Sequence, residues 1–248
     1  MRLLITGGTG FLGKNIQIVA KQYSEHKFIF IGSEYDLTKS DEAFFLIKEY
    51  LPDIVLHLSA KCGGIFLNSR KPADLGVANA LMGINILNAC NDNNIKNVYV
   101  LGSTCSYPLN CPTPFKEDDL FNGSSEPTNV AYSDAKRFLF TLHDAFRKQY
   151  GFKGVKFIPE NMYGKYDRFD LEDSHVIPAL INKFVSAVKN DKQTVFCWGS
   201  GNATRSFILA EDCAEVLLKT VFMNFDTALP INIGTGYEIT IYDLAHLI

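Results

Sequence analysis

The six cysteines form no C-x-x-C pair, and no histidine stands at zinc-ligand spacing from any of them, so no metal site is expected. No apolar run is long enough to span a bilayer. Met1-Arg2-Leu3-Leu4-Ile5-Thr6 runs straight into a glycine turn, leaving no room for a signal peptide. A soluble cytoplasmic protein with free thiols and no membrane partner is the expectation. Blocks of like charge are also missing: 24 Lys and Arg are scattered against 27 Asp and Glu, for a net charge of −3. That distribution excludes the electrostatic footprint of a nucleic-acid binder, and an anionic substrate would have to be met by a few placed cations. Repeats and low-complexity tracts are absent.

What the chain does have, over 248 residues, is 47% hydrophobic and 21% charged content, enough for a large core and for one α/β domain with a smaller lobe. Leu3 to Thr6 reads as a strand ended by glycines, and Phe11 to Tyr23 carries apolar residues at helical spacing. Phe28 to Ile31 and Ile54 to Leu58 repeat the strand signal, with Ser40 before Asp41 and Glu42 as a capped helix start between them. A helix over Leu75 to Asn91, a strand at Val98 to Leu101, a helix over Val130 to Gln149 and a strand at Val155 to Ile158 continue the alternation. Strands alternating with helices predict a Rossmann-type, doubly wound parallel sheet.

The long loop Ser103 to Asn129 falls where loops of that length are usually functional. From about Asn161 the repeat loosens: loops over Gly164 to Ser174, a helix over Ile177 to Val188, a hairpin over Val195 to Ile208 and a last strand at Ile231 to Gly234. The expected division is a dinucleotide-binding domain over 1–160 and a small substrate lobe over 161–248, with the chain crossing back to the sheet as an option. The chain stops at Ile248 inside a helix begun near Tyr242, which reads as a truncated lobe.

Thr6-Gly7-Gly8-Thr9-Gly10-Phe11-Leu12-Gly13 follows the first strand and opens the first helix, so Gly7, Gly10 and Gly13 let backbone approach a pyrophosphate at a positive helix end. A structural glycine turn is the alternative. Glu34 and Asp36 stand about where an acidic residue holds the ribose hydroxyls of NAD, and no arginine stands in Gly32-Ser33-Glu34-Tyr35, so the residues lean to NAD(H). Tyr132 and Lys136 fall one turn apart at the start of a predicted helix, where the lysine is expected to lower the tyrosine pKa. With Ser103-Thr104 at the end of the fourth strand, they read as the Ser/Tyr/Lys set of short-chain dehydrogenases.

His57-Leu58-Ser59-Ala60-Lys61-Cys62-Gly63-Gly64-Ile65, Gly102-Ser103-Thr104-Cys105-Ser106-Tyr107-Pro108, Glu126-Pro127-Thr128-Asn129, Pro159-Glu160-Asn161-Met162-Tyr163-Gly164 and Ser174-His175-Val176-Ile177-Pro178-Ala179-Leu180 resemble the GDP-L-fucose synthase family of extended short-chain dehydrogenases, as do Trp198-Gly199-Ser200-Gly201 and Arg205-Ser206-Phe207. The resemblance implies NADPH-dependent epimerisation of GDP-4-keto-6-deoxy-D-mannose at carbons 3 and 5, then reduction at carbon 4. It assigns Cys105 and His175 to the epimerisation, Ser103 and Tyr132 to the oxygen on carbon 4, and Lys136 to Tyr132 and the nicotinamide ribose. Gly7, Gly8, Thr9, Gly10, Phe11, Leu12, Gly13, Ser59, Ala60, Lys136 and Asn161 would hold NADP(H), with Asn161 also reaching the GDP-sugar beside Lys183, Trp198 and Arg205. It also implies a homodimer formed through the helices over Leu75 to Asn91 and Val130 to Gln149.

The chain departs from that family at Glu160, Lys165 and Arg168, where Thr, Pro and Asn are usual, so the loop near the sugar and the sugar itself are open. A related 4-reductase, 4-epimerase or 4,6-dehydratase, and a nucleotide-binding relative without turnover, remain alternatives. Against dehydration stands Cys105-Ser106 in place of Asp-Glu.

Overall fold

Leu3, Leu4 and Ile5 are consecutive and none has any solvent exposure, which requires a strand covered on both faces. In the computed structural model, which describes residues 1–169 and 174–248 (Ile65 by its backbone alone), they form β1 (Arg2–Thr6) of a six-stranded, wholly parallel sheet. The other strands are β2 (Lys27–Ile31), β3 (Ile54–His57), β4 (Val98–Leu101), β5 (Lys156–Pro159) and β8 (Ile231–Ile233), in the order β2-β1-β3-β4-β5-β8. Leu3, Ile5, Ile54, Leu56, Tyr99 and Phe157 point to one face, and Leu4, Val55, Val98, Val100 and Ile158 to the other. On the first face lie α1 (Phe11–Val19) and α7 (Ala210–Phe222). On the second lie α2 (Ser40–Tyr50), α4 (Pro72–Asp92) and α5 (Val130–Tyr150). This is the doubly wound Rossmann-type α/β arrangement expected above.

The chain leaves β1 toward β2 and then returns past β1 to β3, so the winding reverses between β1 and β3. Crevices of this kind, beyond the carboxyl ends of the strands, are where such sheets bind ligands. Across this one, a Cβ at Gly7 would lie 2.9 Å from the Ser59 nitrogen, so the turn after β1 abuts the loop after β3. Thr6 Oγ1 joins the two strands, sharing a hydrogen bond with His57 Nδ1 at 2.8 Å and accepting the Ser59 N–H at 3.2 Å.

A second sheet of β6 (Asn161–Tyr163), β7 (Thr204–Leu209) and β9 (Glu238–Thr240) lies with α6 (Val176–Lys189) and α8 (Ile241–Leu247) beyond the strand ends. The hairpin expected over Val195 to Ile208 is not formed. Gly199 and Gly201 do adopt positive φ, but Phe196 and Trp198 are 81% and 74% exposed and take no strand partner among the described residues. β7 instead takes partners far away in sequence, β6 in parallel and β9 antiparallel. The last strand, β8, pairs with β5 in the main sheet and not with the second sheet. Ser40 is the first residue of α2 rather than its cap; Lys39 holds that position without a side-chain cap, and Asp41 and Glu42 face the helix dipole. A short helix, α3 (Ile65–Arg70), was not expected. Residues 170–173 of the loop read over Gly164 to Ser174 lie outside the described residues. No described helix is long and apolar enough to cross a membrane.

Two buried histidines give the fold a pH dependence. Burial, and then the charge on Lys136, push His57 down to about 3, and burial pushes His143, bonded to the Val98 carbonyl, down to about 4. An unfolded histidine takes up its proton near 6.5, so below that pH the unfolded chain binds more protons and stability falls. The expected loss is about 1.4 kcal/mol per pH unit for each histidine between pH 6.5 and its folded pKa. Urea unfolding midpoints measured from pH 7 to 5 would show it; a flat profile would refute the neutral pair.

Candidate active site

Everything in the site hangs on how close α5 comes to the end of β4. A Cβ at Gly102 would lie 2.4 Å from the Phe140 ring, so only glycine there lets α5 pack so near. One face of the helix then grips the segment after β4. Lys136 Nζ donates to the Leu101 carbonyl at 3.0 Å, Ser133 Oγ to the Cys105 carbonyl at 2.8 Å, and Arg137 Nε to the Ser106 carbonyl at 2.6 Å. Ser103, Cys105, Tyr132 and Lys136 are gathered in this way. Ser133 and Arg137 were not singled out from the sequence, although their helical spacing beside Tyr132 and Lys136 was there to be read.

Burial raises the Tyr132 phenol well above 10, and the Ser103 hydroxyl that hydrogen-bonds it offsets only part of this. The expected lowering by Lys136 therefore does not set its state: the lysine donates to Leu101 and sits 5.9 Å from the ring centroid, and desolvation wins. A phenol that keeps its proton is a donor at neutral pH. Lys136 itself, 3% exposed, is pushed down to about 8 by burial.

Cys105 is exposed on a short turn (Thr104–Ser106), its N–H donating to Ser103 Oγ at 3.3 Å. Cys62, for which the sequence suggested no role, reaches the same place. Desolvation raises its thiol, and the charges that bear on it belong to Lys136, Arg168, Asp167 and Cys105. Its loop is pinned from α4, where Asn79 exchanges two hydrogen bonds with the Lys61 backbone, at 3.1 and 2.8 Å.

His175 caps α6 and is hydrogen-bonded to neither Cys105 nor Tyr132; its ring meets Asp167 instead, with Nδ1 3.3 Å from Oδ1. Lys183 Nζ lies 4.7 Å above the Trp198 ring and donates to the Phe196 carbonyl, so the exposed tryptophan is no core residue. Arg205 lies apart from them on β7, exposed, and among the described residues no carboxylate pairs with it or with Lys183. Asn161, on β6, donates to the Ser206 carbonyl at 3.0 Å and so adds a side-chain bond to the pairing of β6 with β7.

The turn after β1 suits a dinucleotide. A Cβ at Gly13 would lie 2.3 Å from the Gly7 carbonyl oxygen, Gly7 has φ +70°, and α1 starts with neither a side-chain cap nor an acidic residue in its first turn. Its first N–H groups are thus met by no side-chain cap, an arrangement that suits an anion. Of the two acids after β2, Glu34 stands at the turn, its Oε1 accepting the Gly32 N–H at 2.8 Å next to Thr9. Asp36 is occupied by Thr38, whose N–H and hydroxyl hold it below the usual carboxylate range. The nearby cations are engaged: Lys39 Nζ lies 2.8 Å from Glu42, and Lys14 Nζ 5.6 Å from the Tyr166 ring centroid.

Of the three departures noted in the sequence, two face elsewhere. Glu160 folds over Gly234 and accepts the Thr235 N–H at 3.0 Å, and Lys165 extends toward Glu211 at 3.9 Å. Arg168 lies on the site side, next to Asp167.

Residues 3–234 match the NAD dependent epimerase/dehydratase family. The chain is 39% identical to the GDP-L-colitose synthase of Yersinia pseudotuberculosis over 97% of its own length and 79% of that protein's. It is 37% identical to the GDP-L-fucose synthase of Sinorhizobium fredii, over 100% of this chain and 78% of the relative. A GDP-L-fucose synthetase from Naegleria fowleri, solved bound to NADP, superposes with a TM-score of 0.86 at 30% identity, over 99% of this chain and 76% of that one. The chain belongs to the NAD dependent epimerase/dehydratase family, and within it to the group of the GDP-L-fucose and GDP-L-colitose synthases.

Proposed function

We propose that the protein is an NADP(H)-dependent oxidoreductase with epimerase activity, NAD(H) also being admitted, that converts GDP-4-keto-6-deoxy-D-mannose to GDP-L-fucose. The observation that supports this is the grip of α5 on the segment after β4, with Ser103, Cys105, Tyr132 and Lys136 at the same carboxyl edge of the parallel sheet as the turn after β1. Protons beside a ketone are acidic, so epimerisation needs one group to take a proton and another to return it. Cys105 and His175 do this at carbons 3 and 5. Ser103 and Tyr132 then hydrogen-bond the oxygen on carbon 4, and Tyr132 protonates it as charge develops there. Lys136 holds the nicotinamide ribose and keeps a positive charge beneath the reacting centre. When bound, the dihydronicotinamide supplies the hydride. Gly7 to Gly13, Ser59, Ala60 and Asn161 hold the cofactor, while Lys183, Trp198 and Arg205 bind the GDP-sugar, the two cations offsetting phosphate charge.

The lobe built from residues 161–248, apart from α7 and β8, covers the sugar. Two copies pair through α4 and α5, which leave Val77, Leu81 and Phe138 exposed.

Incubation with GDP-4-keto-6-deoxy-D-mannose in heavy water, with NADPH or NADH, tests the assignment. Cofactor oxidation with deuterium at carbons 3 and 5 is expected. Reduction without exchange would leave a simple ketoreductase. Turnover confined to the ketone precursor of GDP-L-colitose would move the substrate to that of the Yersinia relative.

Two further results are expected. Because Lys136 loses its proton near pH 8, reduction should fall as pH rises through that value, and a flat profile above pH 8 would separate Lys136 from the reaction. Exchanging the acid at the ribose for a cation, Ser33→Arg with Glu34→Gln, should raise the kcat/KM ratio of NADPH over NADH by roughly ten- to a hundredfold. An unchanged ratio would mean that Glu34 does not face the 2′ position.

A further inference from the structure

The geometry points to Asp167 as the positioning residue for His175, holding the imidazole with its proton on Nδ1 so that Nε2 is the nitrogen that exchanges protons with the sugar. The inference rests on the reading above that His175 takes part in epimerisation. His175 precedes the first turn of α6 and its side chain is half exposed, so nothing in its own backbone fixes the ring. Among the described residues the ring has one hydrogen-bond partner, Asp167 Oδ1 at 3.3 Å. The carboxylate is well placed to act as a fixed acceptor. Its side chain is only 3% exposed, and Oδ1 is itself held by the Arg168 N–H at 2.8 Å.

The second oxygen, Oδ2, is buried and has no partner among the described residues. A carboxylate left short of hydrogen bonds away from water favours a neighbouring cation. Asp167 also lines a cavity of about 290 Å³ between the end of β6 and α6, with Tyr163, Phe169, Ile177 and Pro178 among its walls.

A carboxylate accepting from Nδ1 decides which nitrogen carries the mobile proton. With Nδ1–H donated to Asp167, Nε2 is left bare in the neutral ring and protonated in the imidazolium. One member of the Cys105–His175 pair removes a proton beside the ketone, and the C–H electrons move into an enolate. The other delivers a proton to the opposite face of that carbon, re-forming the C–H bond and the ketone, with no change of oxidation state. When Nε2 takes or holds the proton, the positive charge on the ring lies against the Asp167 carboxylate.

The test is nitrogen-15 NMR of histidine-labelled protein, together with the rate of deuterium uptake at carbons 3 and 5. In the wild type the neutral His175 ring should show Nδ1 protonated and Nε2 bare. Asp167→Ala should shift the neutral ring to the Nε2–H form and slow deuterium uptake by roughly 10- to 100-fold in kcat with KM unchanged. Asp167→Asn, which keeps an acceptor oxygen, should retain the tautomer and recover part of the rate. Unaltered dinucleotide titrations would show both variants folded. If the tautomer or the uptake rate of Asp167→Ala matches the wild type, the inference is overturned. Wild-type protein showing no uptake with any 4-keto sugar nucleotide would instead remove the functional reading, and the NMR result would still decide whether Asp167 sets the tautomer.

Discussion

Tyr132→Phe is expected to slow reduction at carbon 4 by about 10² to 10⁴-fold while leaving proton exchange at carbons 3 and 5 intact. The substitution removes one hydroxyl and little else, because the ring packs the same way and the α5 contacts of Ser133, Lys136 and Arg137 do not involve it. What is lost is the donor. Burial holds the Tyr132 phenol protonated, so in the proposed reaction it neutralises the oxyanion as hydride arrives, and a phenylalanine would leave that charge to Ser103 alone. The two steps separate cleanly in heavy water, since exchange is read on the sugar carbons and reduction on nicotinamide absorbance. Equal loss of both would mean that the variant damages the site at large, and loss of neither would remove Tyr132 from the reaction.

Gly13→Ala should abolish dinucleotide binding and destabilise the protein by at least the ~1–3 kcal/mol typical of overpacked cores. The added carbon would lie 2.3 Å from the Gly7 carbonyl oxygen and 2.5 Å from Gly8 backbone atoms. Backbone cannot swing aside as a side chain can, so the turn or the start of α1 must shift, and both form the anion site. Gly10→Ala is the control: its Cβ would meet only the Gly7 oxygen at 3.2 Å, and Gly10 has φ −77°, open to any residue. Thermal unfolding of the two variants should therefore differ sharply, while cofactor fluorescence titration compares Gly13→Ala with the wild type. A Gly13→Ala protein that binds like the wild type would show that the turn is not the cradle.

Much of this was legible in the chain itself, because it depends on neighbours in sequence. The apolar runs at Leu3 to Thr6, Ile54 to Leu58 and Val98 to Leu101 can be buried on both faces only in a parallel sheet, and the glycines from Gly7 to Gly13 announce a turn that lets backbone approach an anion. The spacing of Tyr132 and Lys136 puts them on one helix face by helical geometry alone. The sheet order beyond β5 was not legible, since β8 joins the main sheet after 71 residues of chain between Pro159 and Ile231, and strand partners at that distance leave no local pattern. The Val195 to Ile208 hairpin failed for the same reason: alternating residues and two glycines permit a hairpin, but pairing is decided by which strands are near.

Local pattern, then, determined the elements, the dinucleotide turn and the identities of the side chains offered for chemistry. Only the tertiary structure decided their states and partners. Whether Tyr132 is a phenol or a phenolate depends on how far α5 buries it. Whether Glu34 or Asp36 stands at the turn depends on Thr38 occupying one of them, and the orientation of His175 depends on Asp167, eight residues away and scarcely exposed. Burial and long-range contact are properties of the packed chain, and desolvation and hydrogen bonding convert them into pKa values and tautomers.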